Sequence, residues 1–340
     1  MSESAAFTNN PGSGGEAIYR FEFARATSAG EALSLVAEKP GSVWKAGGID
    51  LLDHLKEHLL EPPRLVDLKS VPGMQDVTAE PGGSIRIGPL VTLAHVAAQP
   101  GIRATHTALA QACGEAASPQ IRNVATIGGN LLQRPRCWYY RLASYRCLKK
   151  GGDICFAVGG ENRYHTIFGD GACNAPHPSN AAMGLTALGA SLVLQSSRGT
   201  RTVPAEQFFT IPEKDPRREN AREPDEILTA INLPAAPGMR SAYASVREKA
   251  AFDWPLTSAA VALRMEWEVV SGARIILGAV ATVPFRSPAA EQALLGRRLD
   301  EATAEAVANA AVTGAQPLSE NGYKVELLKT LLRRMLRSLA

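Results

Sequence analysis

The chain has 340 residues, of which 45% are hydrophobic and 20% are charged, a balance typical of a globular protein with two or three domains. A formal net charge of +3 indicates neither a nucleic-acid-binding protein nor a membrane-surface protein. Apolar runs are too short for a transmembrane helix, so we expect no membrane span.

The start of the chain bears on its compartment. Residues 1–16 are rich in Ser, Gly, Asn and Pro, which predicts a flexible leader. The basic and apolar regions of a secretory signal are missing there, since the first basic residue is Arg20. We therefore expect a cytoplasmic chain, or one that reaches the periplasm already folded with a signal-bearing partner.

Residues 17–72 predict a compact α/β unit. A short strand is followed by a helix that Ser28 would cap, with Glu31 in the capping-box position. Gly47 and Gly48 then lie between a second strand and a second helix, where backbone N–H groups could approach a pyrophosphate. A Gly-Gly pair is also common in a simple strand-to-helix turn, so this loop alone decides nothing.

Residues 73–235 contain a second loop of the same kind, in RNVATIGGNLLQ. Thr126 offers a hydroxyl group, Gly128 and Gly129 allow close backbone approach, and Asn130 can donate and accept hydrogen bonds. Neither glycine loop matches the pattern of a nucleotide-hydrolysing P-loop or of a Rossmann dinucleotide site, so both functions are disfavoured.

An insertion at residues 131–179 follows this loop and carries four of the five cysteines. Four thiolates are what a [4Fe–4S] cluster needs, and the arginines and lysines that open the insertion would help thiols to deprotonate. The spacing is unlike that of ferredoxins, so structural zinc, disulfides and unconnected thiols remain alternatives. The fifth, Cys113, lies in an apolar helix and is predicted to be a core residue.

Residues 239–340 predict a sheet packed on helices. Three strand-like runs come first, and the tail that ends in YKVELLKTLLRRML has apolar residues at helical spacing.

KAGGIDLL, followed at this distance by ATIGGNLLQ, resembles the flavin subunits of the xanthine dehydrogenase and aldehyde oxidoreductase family, the molybdenum hydroxylases. The resemblance implies an α+β fold: a two-subdomain FAD-binding fold of the vanillyl-alcohol-oxidase type, then a C-terminal domain of the CO dehydrogenase flavoprotein type. It also implies a set of FAD-binding residues, namely Trp44, Lys45, Ala46, Gly47, Gly48, Ile49, Asp50, Leu51, Thr126, Gly128, Gly129, Asn130 and Asn180.

The insertion is similar to one in a subset of this family, typified by the periplasmic aldehyde oxidoreductase of enteric bacteria. That similarity implies one [4Fe–4S] cluster with the ligands Cys137, Cys147, Cys155 and Cys173.

Two positions depart from the family pattern. Asn180 stands where an aspartate is usual, and Ser245 stands where a lysine is usual. We expect FAD binding to be retained, with flavin affinity and potential as the properties affected.

The resemblance implies an electron-transfer role. The chain would take electrons from iron–sulfur centres and pass them to an external acceptor, with a molybdopterin-containing large subunit and a [2Fe–2S] small subunit as partners in a heterotrimer or a multiple of it. We expect no catalytic residue for the organic substrate in this chain. The alternatives are a self-sufficient flavin oxidase with its own substrate site, and a zinc-stabilised interaction module without redox activity.

Overall fold

The computed structural model describes residues 18–169, 172–249 and 252–340. The leader predicted at residues 1–16 lies outside this part of the chain. The described residues form three sheets that helices cover.

A parallel three-stranded sheet comes first. Its strands are β1 (Glu22–Arg25), β2 (Val43–Lys45) and β3 (Arg64–Asp67), in the spatial order β1-β3-β2. Parallel strands need crossover connections, and the helices α1 (Ala29–Glu38) and α2 (Ile49–Lys56) lie in them.

The start of α1 has the predicted cap. The Glu31 N–H donates a hydrogen bond to the Ser28 hydroxyl at 3.1 Å, and the Thr27 N–H donates to the Glu31 carboxylate at 2.6 Å. These bonds satisfy donors that have no partner inside the helix.

The second sheet is antiparallel, with the order β4-β5-β8-β6-β7. Its strands are β4 (Val77–Ala79), β5 (Ile85–Ile87), β6 (Ser191–Ser196), β7 (Gly199–Pro204) and β8 (Ile227–Leu233). The helices in this part of the chain are α3 (Leu93–Ala98), α4 (Pro100–Thr105), α5 (Thr107–Gly114), α6 (Pro119–Arg122), α7 (Ile127–Leu131), α8 (Trp138–Arg141), α9 (Asn180–Ala187) and α10 (Ala205–Phe208). Short 3₁₀ turns lie at Pro81–Gly83 and Leu148–Lys150.

The third sheet is antiparallel with the order β12-β11-β10-β9. Its strands are β9 (Met239–Val246), β10 (Thr257–Glu266), β11 (Val269–Gly278) and β12 (Phe285–Arg286), and its helices are α11 (Pro288–Leu294), α12 (Glu301–Ala311) and α13 (Tyr323–Leu339). The buried residues of α13 recur every three or four positions and share one core with the sheet. The predicted sheet on helices is confirmed.

The α+β class is confirmed as well, because the helices and the mostly antiparallel strands are both extensive. The predicted domain limits near residues 72 and 235 fall between consecutive sheets. None of the helices in the described ranges combines the length and the apolarity that a bilayer crossing requires.

The helices α5 and α9 cross closely in the core of the second part. Cys113, in α5, is fully buried there, as predicted. A Cβ atom on Gly184 of α9 would lie 3.0 Å from the Cα of Leu109 and 3.2 Å from the carbonyl oxygen of Ala108. The approach of the two backbones therefore depends on glycine at position 184.

We predict that Gly184→Val lowers the free energy of unfolding by about 1–3 kcal/mol, because its added atoms would force α5 and α9 apart. Urea denaturation measures this change. Gly101→Val is the control, since a Cβ on that helical glycine would lie 3.9 Å from the side chain of Ile85, an ordinary van der Waals distance. Equal effects of the two substitutions would contradict the prediction.

Candidate functional site

The first glycine loop ends strand β2 and begins helix α2. Gly48 is the N-cap residue and has a φ of 85°, which glycine adopts without strain. No side chain in the described part of the chain caps α2. The first N–H groups of the helix are therefore available to an anion, with the positive end of the helix dipole behind them.

Gly47 brings the two glycine loops together. A Cβ atom on Gly47 would lie 2.3 Å from the carbonyl oxygen of Val124 and 3.3 Å from the Cα of Ala125. These distances leave no room for a side chain, so the first loop touches the backbone that leads into the second.

The second loop is held by its own cap. The Gly129 N–H donates to the Thr126 hydroxyl at 3.1 Å, which caps α7. The close approach at Gly128 is to Pro89, whose carbonyl oxygen accepts from the Gly128 N–H at 2.8 Å. A Cβ on Gly128 would lie 2.7 Å from the Cβ of Pro89. Gly128 therefore serves packing in the structure, while Gly129 is less confined.

Asn130 connects this loop to α9. The Ser179 hydroxyl donates to the Oδ1 atom of Asn130 at 2.6 Å and accepts from the Ala182 N–H at 3.0 Å, so that it caps α9. Asn180 is the first residue of α9 and is buried. This network brings Asn130 and Asn180, far apart in the sequence, to one place.

Three other residues of the predicted FAD-binding set, Trp44, Lys45 and Ala46, lie in or directly after strand β2, before the first loop. The Nζ atom of Lys45 lies 3.1 Å from the Oδ1 atom of Asp67, with both side chains largely buried. The ring of Trp44 lies 5.1 Å from the guanidinium carbon of Arg222, and its buried Nε1 atom has no hydrogen-bond partner among the described residues. Ala46 packs at the edge of the core beneath the first sheet.

The side chains in the first turn of α2 have different surroundings. Ile49 is exposed and Leu51 is half-buried. The Asp50 carboxylate faces the insertion instead: it accepts from the Arg134 N–H at 2.9 Å and from the Arg141 guanidinium at 2.7 Å.

A cavity of about 250 Å³ opens beside Asn180. Its walls come from the insertion, the start of α9 and the third sheet, and they include Trp138, His165, His177, Asn180, Trp254 and Ser258. No local sequence pattern indicated this cavity, because its walls come from distant segments; the one nearby signal was His177, in the HPSN stretch that contains the predicted Asn180.

Two buried histidines in these walls are neutral. Burial lowers the pKa of His177 to about 3, and its Nδ1 atom accepts from the Ser179 N–H at 3.4 Å. The proton therefore resides on Nε2, which has no partner among the described residues. Burial also lowers the pKa of His165 to about 4, and its Nε2 atom lies 3.2 Å from the sulfur of Cys137.

The four cysteines of the insertion lie in one neighbourhood. Cys173 and Cys155 share a hydrogen bond, which lowers the pKa of Cys155 to about 5. Burial raises the pKa of Cys137 to about 11, and the charges of Cys155 and Cys147 act on it in the same direction. The ammonium group of Lys150 interacts with Cys147 and Cys137.

These cysteines are free thiols, and the described residues contain no group of three or more His, Cys, Asp or Glu side chains arranged to hold a single metal ion. Cys113 stands apart in α5, where burial raises the pKa of its thiol.

The two departures from the family pattern have different surroundings. Asn180 lines the cavity, whereas the Ser245 hydroxyl donates to the Glu115 carboxylate at 2.8 Å.

Lys324 is buried next to two residues that line the cavity, Tyr164 and Ala279. The Lys324 ammonium donates to their carbonyl oxygens, each at 2.9 Å. Burial lowers the pKa of Lys324 to about 7. No local pattern indicated that Lys324 is buried, because a lysine is an ordinary residue in an amphipathic helix such as α13.

Comparison with known proteins identifies the family. Residues 19–236 match the family described as the FAD binding domain in molybdopterin dehydrogenase, and residues 241–339 match the CO dehydrogenase flavoprotein C-terminal domain. The chain is 33% identical to the aldehyde oxidoreductase FAD-binding subunit PaoB of Escherichia coli, over 93% of this chain and 97% of that protein. It is 28% identical to the carbon monoxide dehydrogenase medium chain of Hydrogenophaga pseudoflava, over 94% and 96%.

A solved structure agrees. Carbon monoxide dehydrogenase from Hydrogenophaga pseudoflava, in a form that lacks the Mo-pyranopterin moiety of its cofactor, has a chain that matches with a TM-score of 0.75 and 26% identity. The match covers 95% of this chain and 98% of that one. The protein is thus a flavoprotein of the two-part FAD-binding and CO dehydrogenase flavoprotein fold, which confirms the predicted architecture. It belongs to the FAD-binding subunits of the molybdenum hydroxylase family.

We predict that Lys324→Met removes part of the pH dependence of stability above pH 7. The folded pKa of about 7 lies below the unfolded value of about 10.4, so between them the unfolded chain binds more protons. The free energy of unfolding therefore rises with pH in this window. Urea denaturation at about pH 7 and pH 9.5 should show a rise smaller by on the order of 2 kcal/mol in the variant.

Lys329→Met, in the same helix, is the control and should keep the rise of the wild-type chain, because the Lys329 ammonium pairs with Glu326 and is not fully buried. An unchanged rise in Lys324→Met would contradict the assignment.

Proposed function

We propose that this chain is the FAD-containing electron-transfer subunit of a molybdenum hydroxylase of the aldehyde or xanthine dehydrogenase type. It takes electrons from iron–sulfur centres and passes them to an external acceptor. The observation that carries the proposal is the contact of two glycine loops beside the uncapped start of α2, in a chain of an FAD-binding family.

The pyrophosphate of FAD would lie at the start of α2. Gly48 and the N–H groups of residues 49–51 would donate hydrogen bonds to it, and Thr126, Gly129 and Asn130 would border it from the second loop. The supporting observation is that Gly47 holds these loops in contact. Bound FAD would supply a two-electron acceptor that can release its electrons singly.

The cavity beside Asn180 would receive the flavin ring. Its tryptophan walls, Trp138 and Trp254, suit a flat aromatic system, and the Nε2–H group of His177 is an unused donor in the same walls. Asn180 accepts or donates there without the charge that an aspartate would bring.

The partners we infer are a molybdopterin-containing large subunit and a [2Fe–2S] small subunit, in a heterotrimer or a multiple of it. Relatives named as FAD-binding subunits or medium chains support this, because such names belong to multi-subunit enzymes. The organic substrate would be transformed on the large subunit, and this chain would contribute no catalytic residue to that step.

We also propose that Cys137, Cys147, Cys155 and Cys173 bind one [4Fe–4S] cluster. The supporting observation is their closeness: Cys155 shares a hydrogen bond with Cys173, and the charges of Cys155 and Cys147 act on Cys137.

We expect Gly48→Val to lose most bound FAD, because a branched side chain would stand over the N–H groups at the start of α2. Gly82→Val is a matched control: its φ of 82° brings similar strain, and no described atom lies within 4 Å of its Cβ position. FAD released per chain is the primary measurement. The wild-type chain alone should pass electrons from a reduced dye to an acceptor, and Gly48→Val should not.

Equal flavin retention in the two variants would contradict the assigned loop. Oxidation of an aldehyde or a purine by the chain alone, free of a molybdenum subunit, would contradict the subunit role.

For the cluster, we expect Cys155→Ser to lose most iron and acid-labile sulfide from anaerobically prepared chain, because it removes a ligand of low pKa. Cys113→Ser should leave both contents unchanged, since that thiol is buried in α5. Zinc in place of iron, or equal losses of iron and sulfide in the two variants, would contradict the proposed cluster.

A further inference from the structure

Helix α2 is fastened to the insertion through Asp50. The Oδ1 atom of Asp50 lies 2.7 Å from the guanidinium of Arg141 and 2.8 Å from that of Arg136. The Oδ2 atom accepts from the Arg134 N–H at 2.9 Å. One carboxylate on the first turn of α2 thus holds three residues of the insertion.

Asp53, one turn later, completes this contact. Its Oδ2 atom lies 3.1 Å from Arg136 and 2.9 Å from Arg141, so each guanidinium spans both carboxylates. We call these four side chains, Asp50, Asp53, Arg136 and Arg141, the acid–arginine clamp. Beside it, the Nε2 atom of His54 lies 2.9 Å from the Tyr140 hydroxyl.

The clamp is partly shielded from water, which strengthens it. Burial raises the pKa of Asp50, but the charges of Arg136 and Arg141 outweigh burial and hold the pKa below its usual range. Ion pairs that are shielded from water interact more strongly than exposed pairs.

The clamp touches both proposed cofactor sites. On one side, Asp50 lies in the first turn of α2, two residues after Gly48. On the other side, Arg136 directly precedes Cys137, which is the N-cap residue of α8, and Arg141 ends that helix. Arg136 and Arg141 thus connect the backbone around Cys137 to the start of α2.

We propose that Asp50 is a positioning residue that couples the two sites, so that FAD affinity depends on whether the cysteine insertion is ordered around its metal group. This inference rests on the proposed function. Binding linkage is reciprocal, so FAD retains the cluster by the same factor by which the cluster retains FAD. A carboxylate near a helix start also stabilises the helix by itself, but that effect would be independent of iron.

The test is a cycle of FAD dissociation constants for the full chain, titrated with FAD in four forms: wild type, Cys155→Ser, Arg141→Met and the double variant. Arg141→Met leaves α2 itself unaltered. We expect Cys155→Ser and Arg141→Met each to weaken FAD binding by about tenfold, and the double variant to bind no worse than either one.

Arg198→Met is the matched control, because Arg198 pairs with Asp225 on an exposed surface. It should leave the dissociation constant and its dependence on Cys155 unchanged.

A second measurement is hydrogen exchange of the amides of residues 49–52 in flavin-free chain. It should be slower with iron than without iron in the wild type, and independent of iron in Arg141→Met. If Arg141→Met fails to fold, Asp50→Asn takes its place in both measurements.

Two results would overturn the coupling: effects of the single variants that multiply in the double variant, or amide exchange that ignores iron in the wild type. Failure of wild-type chain to bind any FAD would instead overturn the proposed function, and the coupling with it.

Discussion

The absence of a side chain at Gly47 is the constraint on which the candidate FAD site depends. Because the Val124 carbonyl oxygen occupies the space of a Cβ atom, the loop before α2 can lie directly on the loop before α7. The second loop reaches α9 through Asn130 and Ser179. One close backbone contact therefore sets the relative positions of three helix starts that come from distant parts of the sequence.

Much of the fold could be predicted from the sequence because its signals are local. Ser28 and Glu31 mark the start of α1, and the spacing of apolar residues marks α13 as amphipathic. The two glycine loops could also be located, because Gly-Gly pairs mark turns, but the local pattern did not separate an anion-binding loop from a simple turn. The contacts of the individual glycines could not be predicted. Gly128 packs on Pro89, and no local pattern indicates a contact between these two separate segments.

The electrostatic contacts of the site could not be predicted either, because they also join residues that are far apart in the sequence. Asp50 was predicted with the FAD-binding segment, yet its carboxylate contacts arginines of the insertion more than 80 positions later, as the 84-residue separation from Arg134 illustrates. Lys324 has a side chain that any helix surface could carry, and only the tertiary fold buries it beside Tyr164 and Ala279. Long-range pairing of this kind is set by topology.

The insertion has anchors at both ends, with a mechanical consequence. Its beginning is held by Asp50 in the first family module. Its later part is held in the second module, where the Ile167 and Phe168 N–H groups donate to Val280, and Asn321 donates to the carbonyl oxygens of His165 and Thr166. The insertion is thus bonded to both modules across their boundary, where Tyr243 and Ile276 of the third sheet also belong to the core of the second part. Displacing one module against the other would therefore break hydrogen bonds at one end of the insertion as well as this shared packing.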